Sequence, residues 1–266
     1  MNLNWLGLSD GQRPSALASG LVIFLGFLYL LNSRVVDIVV HVRLMPQALF
    51  SLELNRLSLY PLLHLSFLHY ALNSISLFGP LSFFEKTHGT VYTGVILNLL
   101  AVFTALLYCV VGRILYPEVS VVGSSGWCFS FFAYIALKES QINPQQTYFS
   151  RFSLPTIYTP VVLLVLTKII CPGSSFWGHF FGMCVGYGMA FKENWVSKLV
   201  PPSALITKIE TKLDRVINLI PFGIKYYREQ EVDRTVGYTS IFPQQGSVLP
   251  IHSAEGFQGQ GRALGV

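Results

Sequence analysis

Long apolar stretches, separated by short polar connections, make up most of the first 191 residues of the chain. Six stretches have the continuous apolar character of membrane-spanning helices, and they cover residues 15–33, 60–84, 91–111, 121–137, 155–171 and 175–191. A helix needs ~20 residues to cross ~30 Å of hydrocarbon; several stretches reach that length, while the fourth and the last two are short. The pattern predicts an all-α membrane protein with a bundle of six transmembrane helices.

The amino-acid composition also indicates a membrane protein. The chain is 52% hydrophobic and 12% charged, whereas soluble domains carry about 25% charged residues. Residues 1–14 are polar and mixed, and the apolar stretch that follows them is too long for the core of a cleavable signal peptide. We therefore expect these residues to form a short cytosolic N-terminal segment.

The positive charges lie unevenly along the chain, which has a formal net charge of +5. Nine of the 18 Lys and Arg residues follow residue 191, while those before it are divided nearly equally between the loops on the two sides of the membrane. Six spans place both ends of the core on one side, so the positive-inside rule predicts that both termini are cytosolic. No basic stripe carries interleaved aromatic residues, which argues against a nucleic-acid partner.

The composition changes after the six-span core at 15–191. In the basic segment 192–222, apolar residues recur at three- and four-residue steps, which predicts a cytosolic amphipathic helix capped by Ser203 and ended by Pro221. Residues 223–266 are polar, and we expect them to form a disordered cytosolic tail.

The fourth apolar stretch has an unusual length. From Gly126 to Leu137 it has 12 residues, which is about 18 Å of helix and much less than a bilayer requires. A helix that begins near Ser125 would place this serine at membrane depth, and residues 119–123 would enter the bilayer as a non-helical strand. Irregular backbone at that depth requires surrounding protein or a water-filled cavity. The alternative is an ordinary helix from Val119, in which Gly and Ser only assist helix packing.

Ser125 and His179 are polar residues placed within apolar stretches, where each needs a partner or a wet cavity. A serine beside a histidine is a candidate nucleophile and general base. Gly182 and Gly186 follow His179 at helical spacing, so a neighbouring backbone can approach that face closely. If the neighbour is the fourth stretch, which begins Ser125-Gly126, the imidazole reaches the serine. Taken singly, each residue could instead serve helix packing.

Two polar residues of the second apolar stretch form a third element. His69 and Asn73 are four residues apart and hence on one helix face. Both side chains can donate hydrogen bonds, and a donor aimed at a tetrahedral oxyanion contributes about 10²–10³ in rate. They could therefore form an oxyanion hole with the Ser125 backbone N–H, or they could be a simple helix–helix hydrogen-bond pair.

Taken together, these residues resemble the motifs of the rhomboid intramembrane serine proteases. Order, spacing and number of spans agree over about residues 15–191. The matching positions are His69-x-x-x-Asn73 with His64 five residues earlier, Glu85 twelve residues after Asn73, Gly123-x-Ser125-Gly126, and His179-x-x-Gly182-x-x-x-Gly186.

The resemblance implies a rhomboid bundle with a Ser125–His179 dyad and no aspartate. Ser125 would be the nucleophile and His179 the general base, with an oxyanion hole made by His69, Asn73 and the Ser125 amide. Gly126 and the two glycines after His179 would serve helix packing. The expected substrates are single-span membrane proteins, cleaved within the lipid bilayer in or near their transmembrane helices, without a metal or cofactor.

Two positions depart from the usual rhomboid pattern. A Trp-Arg pair common in the first loop is replaced by Asn55-Arg56, and a Tyr four residues after the serine is replaced by Phe129. The resemblance implies that Phe129 stacks on the imidazole of the dyad and orients it in place of a carboxylate. Arg56, Glu85 and His64 are interpreted as structural residues.

The chain length, the six-span form and the cytosolic tail resemble the fungal Golgi-type rhomboids, which implies a Golgi membrane. Within 257–265 the tail also resembles a short box by which cofactors bind the hexameric AAA ATPase called valosin-containing protein. Its residues are Phe257, Gly259, Gly261, Arg262 and Leu264. The Phe and Leu would be apolar anchors, and the alternative is a frayed Gly-rich terminus.

Two other functions remain open. A non-catalytic rhomboid-like protein of the derlin kind would use the ATPase box to move proteins out of the membrane, although such proteins lack the serine and histidine found here. A transporter could place His64, His69 and His179 along a proton or metal path. It would have no intramembrane carboxylate except Glu85 at the edge of a span.

Overall fold

The computed structural model describes residues 13–148, 151–236 and 238–240. Six helices in this part of the chain have 12 or more residues, and each lies in one of the six predicted apolar stretches. The helices are α1 Ala16–Arg34, α2 Val39–Val42, α3 Leu54–Leu59, α4 Phe67–His88, α5 Thr90–Leu115, α6 Ser125–Ser140, α7 Thr159–Ile170, α8 Phe176–Phe191, α9 Glu193–Val196, α10 Ser203–Lys212 and α11 Asp214–Ile217, and one hairpin pairs β1 Gln145–Tyr148 with β2 Phe152–Pro155.

The six long helices differ greatly in length. Two of them, α1 and α5, are long and apolar enough to cross a bilayer alone. By contrast, α6 and α8 have 16 residues each and α7 has 12, so α7 is only about 18 Å long. A bundle with such short members leaves part of the bilayer depth to irregular backbone, which must be enclosed by the surrounding helices.

The second apolar stretch becomes helical later than its sequence predicts. The helix was expected from residue 60, but α4 begins at Phe67 and extends to His88. Pro61 lies in a 3-10 turn over Tyr60–Leu62, and the Ser66 hydroxyl accepts a hydrogen bond from the His69 N–H at 3.2 Å, as an N-cap does. His64 therefore lies in the irregular segment before α4 and not inside the helix.

The fourth and fifth stretches differ in how well sequence located them. Of the two starts that the sequence left open, the structure has the later one, because α6 begins at Ser125 and the preceding residues are not helical. Val121 instead pairs with Leu44 through two backbone hydrogen bonds of 2.9 and 3.0 Å. The fifth stretch was expected from residue 155, but a 3-10 turn over 156–158 delays α7 to Thr159. The hairpin before it has strands of only four residues each, too short for a hydrophobic period to mark them.

The first loop, between α1 and α4, is held by the side chain of Arg56 in α3. The guanidinium of Arg56 donates hydrogen bonds to the carbonyls of Val40 and Arg43 at 3.0 and 2.9 Å. It also forms an ion pair of 2.5 Å with Glu53. The same loop supplies Leu44 to the pairing with Val121, so Arg56 stabilises the loop that supports the strand before α6.

Helices α6 and α8 pack closely along two glycines. A Cβ at Gly182 would lie 3.0 Å from the Cα of Gly126, and one at Gly186 would lie 2.6 Å from the Cα of Ser130. Ser130 is fully buried, and its hydroxyl lies 2.9 Å from the Gly126 carbonyl oxygen and 2.8 Å from that of Gly182. Only hydrogen at the two positions of α8 allows the backbones to approach so closely.

The basic segment after α8 is less regular than predicted. The single amphipathic helix expected up to Pro221 is two helices, α10 and α11, separated at Leu213. Pro202 takes the N-cap position, and Ser203 is the first helical residue and not the cap. Pro202 has extended backbone (φ −63°, ψ 147°), and proline cannot continue a helix on its N-terminal side because it lacks an N–H.

The beginning of the polar tail packs onto the core. Disorder was expected for 223–266, and this expectation is wrong for 223–236 and 238–240. Lys225 exchanges backbone hydrogen bonds of 2.8 Å with Pro14 and Ala16 at the start of α1. Arg234 donates to the His88 carbonyl at the end of α4, at 2.7 and 3.0 Å. Low hydrophobicity did not predict this order, because backbone and charged groups make the contacts.

Glu85 connects three segments on this side of the bundle. Its fully buried carboxylate accepts hydrogen bonds from the N–H groups of Leu17 and Ala18, at 2.8 and 3.0 Å, and from the Thr90 hydroxyl at 2.8 Å. A negative charge at a helix N-terminus is stabilised by the free N–H groups and the helix dipole. The Tyr227 N–H donates to the same Thr90 hydroxyl at 3.0 Å, so the tail joins this network.

Glu193, directly after α8, forms a second polar network on the same side. The Tyr134 hydroxyl donates to it at 2.8 Å, Lys138 forms an ion pair with it, and the His88 imidazole lies 3.5 Å away. Burial acts to raise the pKa of Glu193, but hydrogen bonds from His88, Lys138 and Tyr134 outweigh burial and lower the pKa to about 2. The ends of α4, α6 and α8 are therefore tied together.

The Glu85→Gln variant should be less stable by about 1–3 kcal/mol, because an amide cannot accept hydrogen bonds at both positions and has no charge for the start of α1. The thermal unfolding midpoint of the purified protein in detergent micelles measures this loss. Glu118→Gln, at an exposed loop carboxylate, is the matched control and should leave the midpoint unchanged. Equal midpoints for the two variants would contradict the role of Glu85.

The Gly186→Ala variant should lower the free energy of unfolding by about 1–3 kcal/mol, because its methyl group meets the Ser130 backbone and forces α6 and α8 apart. Gly188→Ala changes the same helix where a Cβ would meet nothing within 4 Å. This control should be neutral or stabilising by about 0.4–1 kcal/mol. A stable Gly186→Ala protein would show that the close helix contact is not required.

Candidate active site

The loop before α6 is fixed to three separate segments. Val121 pairs with Leu44, and the Gly123 N–H donates to the Tyr60 carbonyl at 2.9 Å. The N–H of Ser124 donates to the His64 Nε2 at 3.4 Å. Gly123 has φ +112°, a conformation that side chains other than hydrogen rarely allow. The position of the following residue is therefore defined by tertiary contacts before the helix begins.

Ser125 is the first residue of α6, with Ser124 as its N-cap. Ser125 is partly exposed, while Ser124 and Gly126 on either side are buried. The first N–H groups of a helix have no intrahelical acceptor, so the Ser125 amide is available to a ligand. A partly exposed hydroxyl beside a free amide can attack a carbonyl carbon and stabilise the resulting oxyanion.

His179 lies in the first turn of α8 and is 5% exposed. Its imidazole stacks on the Phe129 ring, with centroids 4.7 Å apart and planes 21° apart. No carboxylate forms an ion pair with His179 in the described part of the chain. The Phe129 ring thus stacks on the imidazole, and its role in orienting the imidazole stays a prediction.

The first turn of α6 packs against the turn of α8 that carries His179. A Cβ at Gly126 would lie 3.8 Å from the Gly178 carbonyl oxygen. Within the described residues, none of the hydrogen bonds joins the Ser125 hydroxyl to the His179 imidazole. The structure therefore shows the two helices in contact, without the hydrogen bond of a completed dyad. Catalytic hydrogen bonds often tighten only when substrate is bound.

His69 and Asn73 both face Gly123. A Cβ at Gly123 would lie 2.7 Å from the His69 Nε2 and 3.4 Å from the Asn73 Nδ2. Asn73 is 8% exposed, and its Nδ2 is buried without a hydrogen-bond partner in the described structure. Buried donors are nearly always paired, so the unpaired Asn73 amide, which faces Gly123 two residues before Ser125, retains an unused hydrogen-bond donor.

Other residues named from sequence lie apart from this site. Glu85 is sixteen residues after His69 in α4, which is about 24 Å along the helix, and Arg56 supports the first loop. The residues of the tail box at 257–265 lie outside the described part of the chain.

Ser124 was missed by sequence reasoning, because only its burial and its contact with His64 distinguish it from any other small residue.

Comparisons with known proteins assign the family. A sequence profile of the Rhomboid domain matches residues 51–194. "Rhomboid-type serine protease 2" of Saccharomyces cerevisiae is 51% identical over 254 residues, which are 94% of this chain and 96% of the relative. The protein of the same name from Kluyveromyces lactis is 52% identical over 270 residues, covering 100% of both chains. This multi-pass membrane protein therefore belongs to the rhomboid family of serine proteases.

Proposed function

We propose that the chain is an intramembrane serine protease in which Ser125 and His179 form the catalytic dyad. The observations that support this proposal are the close contact of α6 and α8 at Gly126 and Gly182 and the stacking of the His179 imidazole on Phe129 of α6. A serine at the start of one helix and a histidine in the first turn of the other are thereby held on facing elements.

In the proposed reaction, His179 removes the proton of the Ser125 hydroxyl while the oxygen attacks the scissile carbonyl carbon. The tetrahedral intermediate collapses, the C–N bond breaks, and His179 returns the proton to the leaving amine. Water then attacks the acyl-enzyme, again losing a proton to His179, and the serine is released. Each proton moves between Ser125, His179, water and substrate, so no cofactor is required.

Three donors are proposed to stabilise the oxyanion, namely the Ser125 N–H, the Asn73 Nδ2 and the His69 ring. The unpaired state of the Asn73 amide supports this role, because a free donor needs no reorganisation when the charge develops. His69 of α4 is half-buried beside the loop that precedes α6, so its ring can face a substrate while it contacts Gly123.

We propose single-span membrane proteins as substrates, cleaved in or near their transmembrane helices. The peptide bonds of a helix are engaged in backbone hydrogen bonds, so the segment to be cleaved must unwind before Ser125 can reach its carbonyl carbon. The basic residues after α8 favour cytosolic termini by the positive-inside rule. A Golgi membrane is proposed from the resemblance to fungal Golgi-type rhomboids.

Ser125→Ala should remove cleavage of a single-span substrate in liposomes, and His179→Ala should lower it by at least about 10²-fold, since the serine then has no base. Covalent labelling by a fluorophosphonate should disappear in both variants and persist in Ser51→Ala, at an exposed loop serine. Unchanged labelling of either dyad variant would refute the dyad. Membrane-protein extraction that survives Ser125→Ala would instead indicate the derlin-type scaffold.

A hexameric AAA ATPase of the valosin-containing-protein type is proposed as partner of the C-terminal tail. Support comes from the sequence alone, since Phe257, Gly259, Gly261, Arg262 and Leu264 are in register with a known binding box. Among the described residues of the tail, Arg234 contacts His88 at the end of α4 and Tyr238 contacts Glu139 at the end of α6.

Phe257→Ala or Leu264→Ala should weaken binding of the full-length protein in nanodiscs to the purified ATPase by at least about tenfold, because buried apolar anchors carry most of the energy of such contacts. Biolayer interferometry measures the dissociation constant. Ile251→Ala changes an apolar residue of the same tail outside the box and serves as control. Equal affinities for all variants would refute the box.

A further inference from the structure

A second serine–histidine contact lies directly beside the proposed nucleophile. Ser124 and His64 are both fully buried, at 0% exposure. The His64 Nε2 lies 3.2 Å from the Ser124 hydroxyl and 3.4 Å from the Ser124 backbone nitrogen. Because substrate cannot reach a fully buried hydroxyl, Ser124 is not a nucleophile, and the contact requires another explanation.

The imidazole holds Ser124 in either of its neutral forms. With the proton on Nδ1, Nε2 accepts hydrogen bonds from the hydroxyl and the N–H of Ser124. With the proton on Nε2, the ring donates to the Ser124 oxygen. Both forms join the irregular segment before α4 to the N-cap of α6, so the contact does not depend on one tautomer.

His64 is unfavourable for the stability of the folded state at its position. Its Nδ1 is buried without a hydrogen-bond partner in the described part of the chain, and such a group costs about 1–3 kcal/mol relative to a satisfied one. An apolar side chain of similar size would avoid this loss. The contact with Ser124 is the feature that an apolar residue could not replace.

Anchoring Ser124 fixes the direction of the Ser125 N–H. The Ser124 carbonyl accepts a hydrogen bond from the Cys128 N–H at 3.2 Å. The same peptide group contains the Ser125 N–H, and in a planar trans peptide the N–H points opposite to the C=O. The Ser125 N–H therefore points away from the helix, and its orientation depends on both ends of Ser124 being held.

His64 also contacts another proposed oxyanion donor. Its ring meets the His69 ring edge-on, with centroids 4.9 Å apart. His69 in turn faces Gly123, the residue before Ser124. One buried imidazole thus contacts one proposed oxyanion donor, His69, and the residue directly before another, Ser125.

We propose that His64 and Ser124 are a positioning pair, whose hydrogen bond aims the Ser125 N–H and the His69 ring at the developing oxyanion. The proposal rests on the function proposed above. The pair touches neither substrate nor the reacting atoms, and its effect is on the transition state. A misplacement of about 1 Å at a reacting centre costs about 10²-fold in rate, so loss of the pair should lower kcat and leave KM nearly unchanged.

The test is a double-mutant cycle of Ser124→Ala and His64→Leu in the full-length protein, with kcat and KM measured on a single-span fluorogenic substrate in liposomes. Ser124→Ala should lower kcat about tenfold and His64→Leu about 10²-fold, with KM within about twofold of the parent value. The double variant should be no slower than His64→Leu alone, because both changes remove one interaction.

Inhibition by a peptide aldehyde provides a measurement that general destabilisation of the protein would not change. Its adduct with Ser125 carries the same oxyanion, so its inhibition constant should rise in proportion to the fall in kcat/KM across the cycle. Ser82→Ala is the matched control, because it removes a buried hydroxyl bonded to Ser15 at 3.0 Å far from the site. It should retain parental kinetics and aldehyde affinity.

Parental kcat in Ser124→Ala, or additive effects in the double variant, would overturn the positioning pair. So would a loss of activity that Ser82→Ala shares, or an aldehyde affinity that does not change. Ser125→Ala separates this outcome from failure of the proposed function. If Ser125→Ala still cleaves, the protease proposal fails; if only Ser125→Ala is inactive, the positioning pair alone fails.

Discussion

The contact between α6 and α8 at Gly182 and Gly186 is the constraint on which the rest of the site depends. Side chains normally keep helix backbones about 8–10 Å apart, and hydrogen at these two positions allows α6 to lie directly on α8. Gly126 and Ser130 then meet the glycines, and the hydroxyl of Ser130 shares its hydrogen between carbonyls of both helices. Ser125 and His179 occupy the first turns of helices whose relative position is thus fixed by main-chain contact.

The late start of α6 is the second feature on which the site depends. A helix that began earlier would bury the first-turn N–H groups in intrahelical hydrogen bonds and leave no free amide beside Ser125. The chain instead passes residues 121–124 along Leu44, Tyr60 and His64 before the helix starts. This irregular backbone is tolerated because protein groups satisfy it from three sides.

Polar groups are concentrated at the two ends of the bundle and serve different purposes. Near Ser125, Asn73 and His64 each retain a buried nitrogen without a partner among the described residues, which is unfavourable for stability. At the opposite end of α4, Glu85 has its carboxylate fully engaged. The hydrogen bonds of Glu85 stabilise the helix ends. This stabilisation offsets the cost of the unpaired polar groups near Ser125.

The sequence by itself determined the class of fold, the approximate place of each long helix and the set of candidate residues, because apolar runs and motif spacing are local signals. It left two possible starts for α6, and only the structure decided for Ser125. Only the tertiary structure decided that His64 lies outside α4, that residues 223–236 pack on the core, and that Ser124 meets His64. These features depend on contacts between segments distant in the chain, such as Arg234 with His88. No local pattern of hydrophobicity or propensity records such contacts, since their energy comes from groups that folding alone brings together.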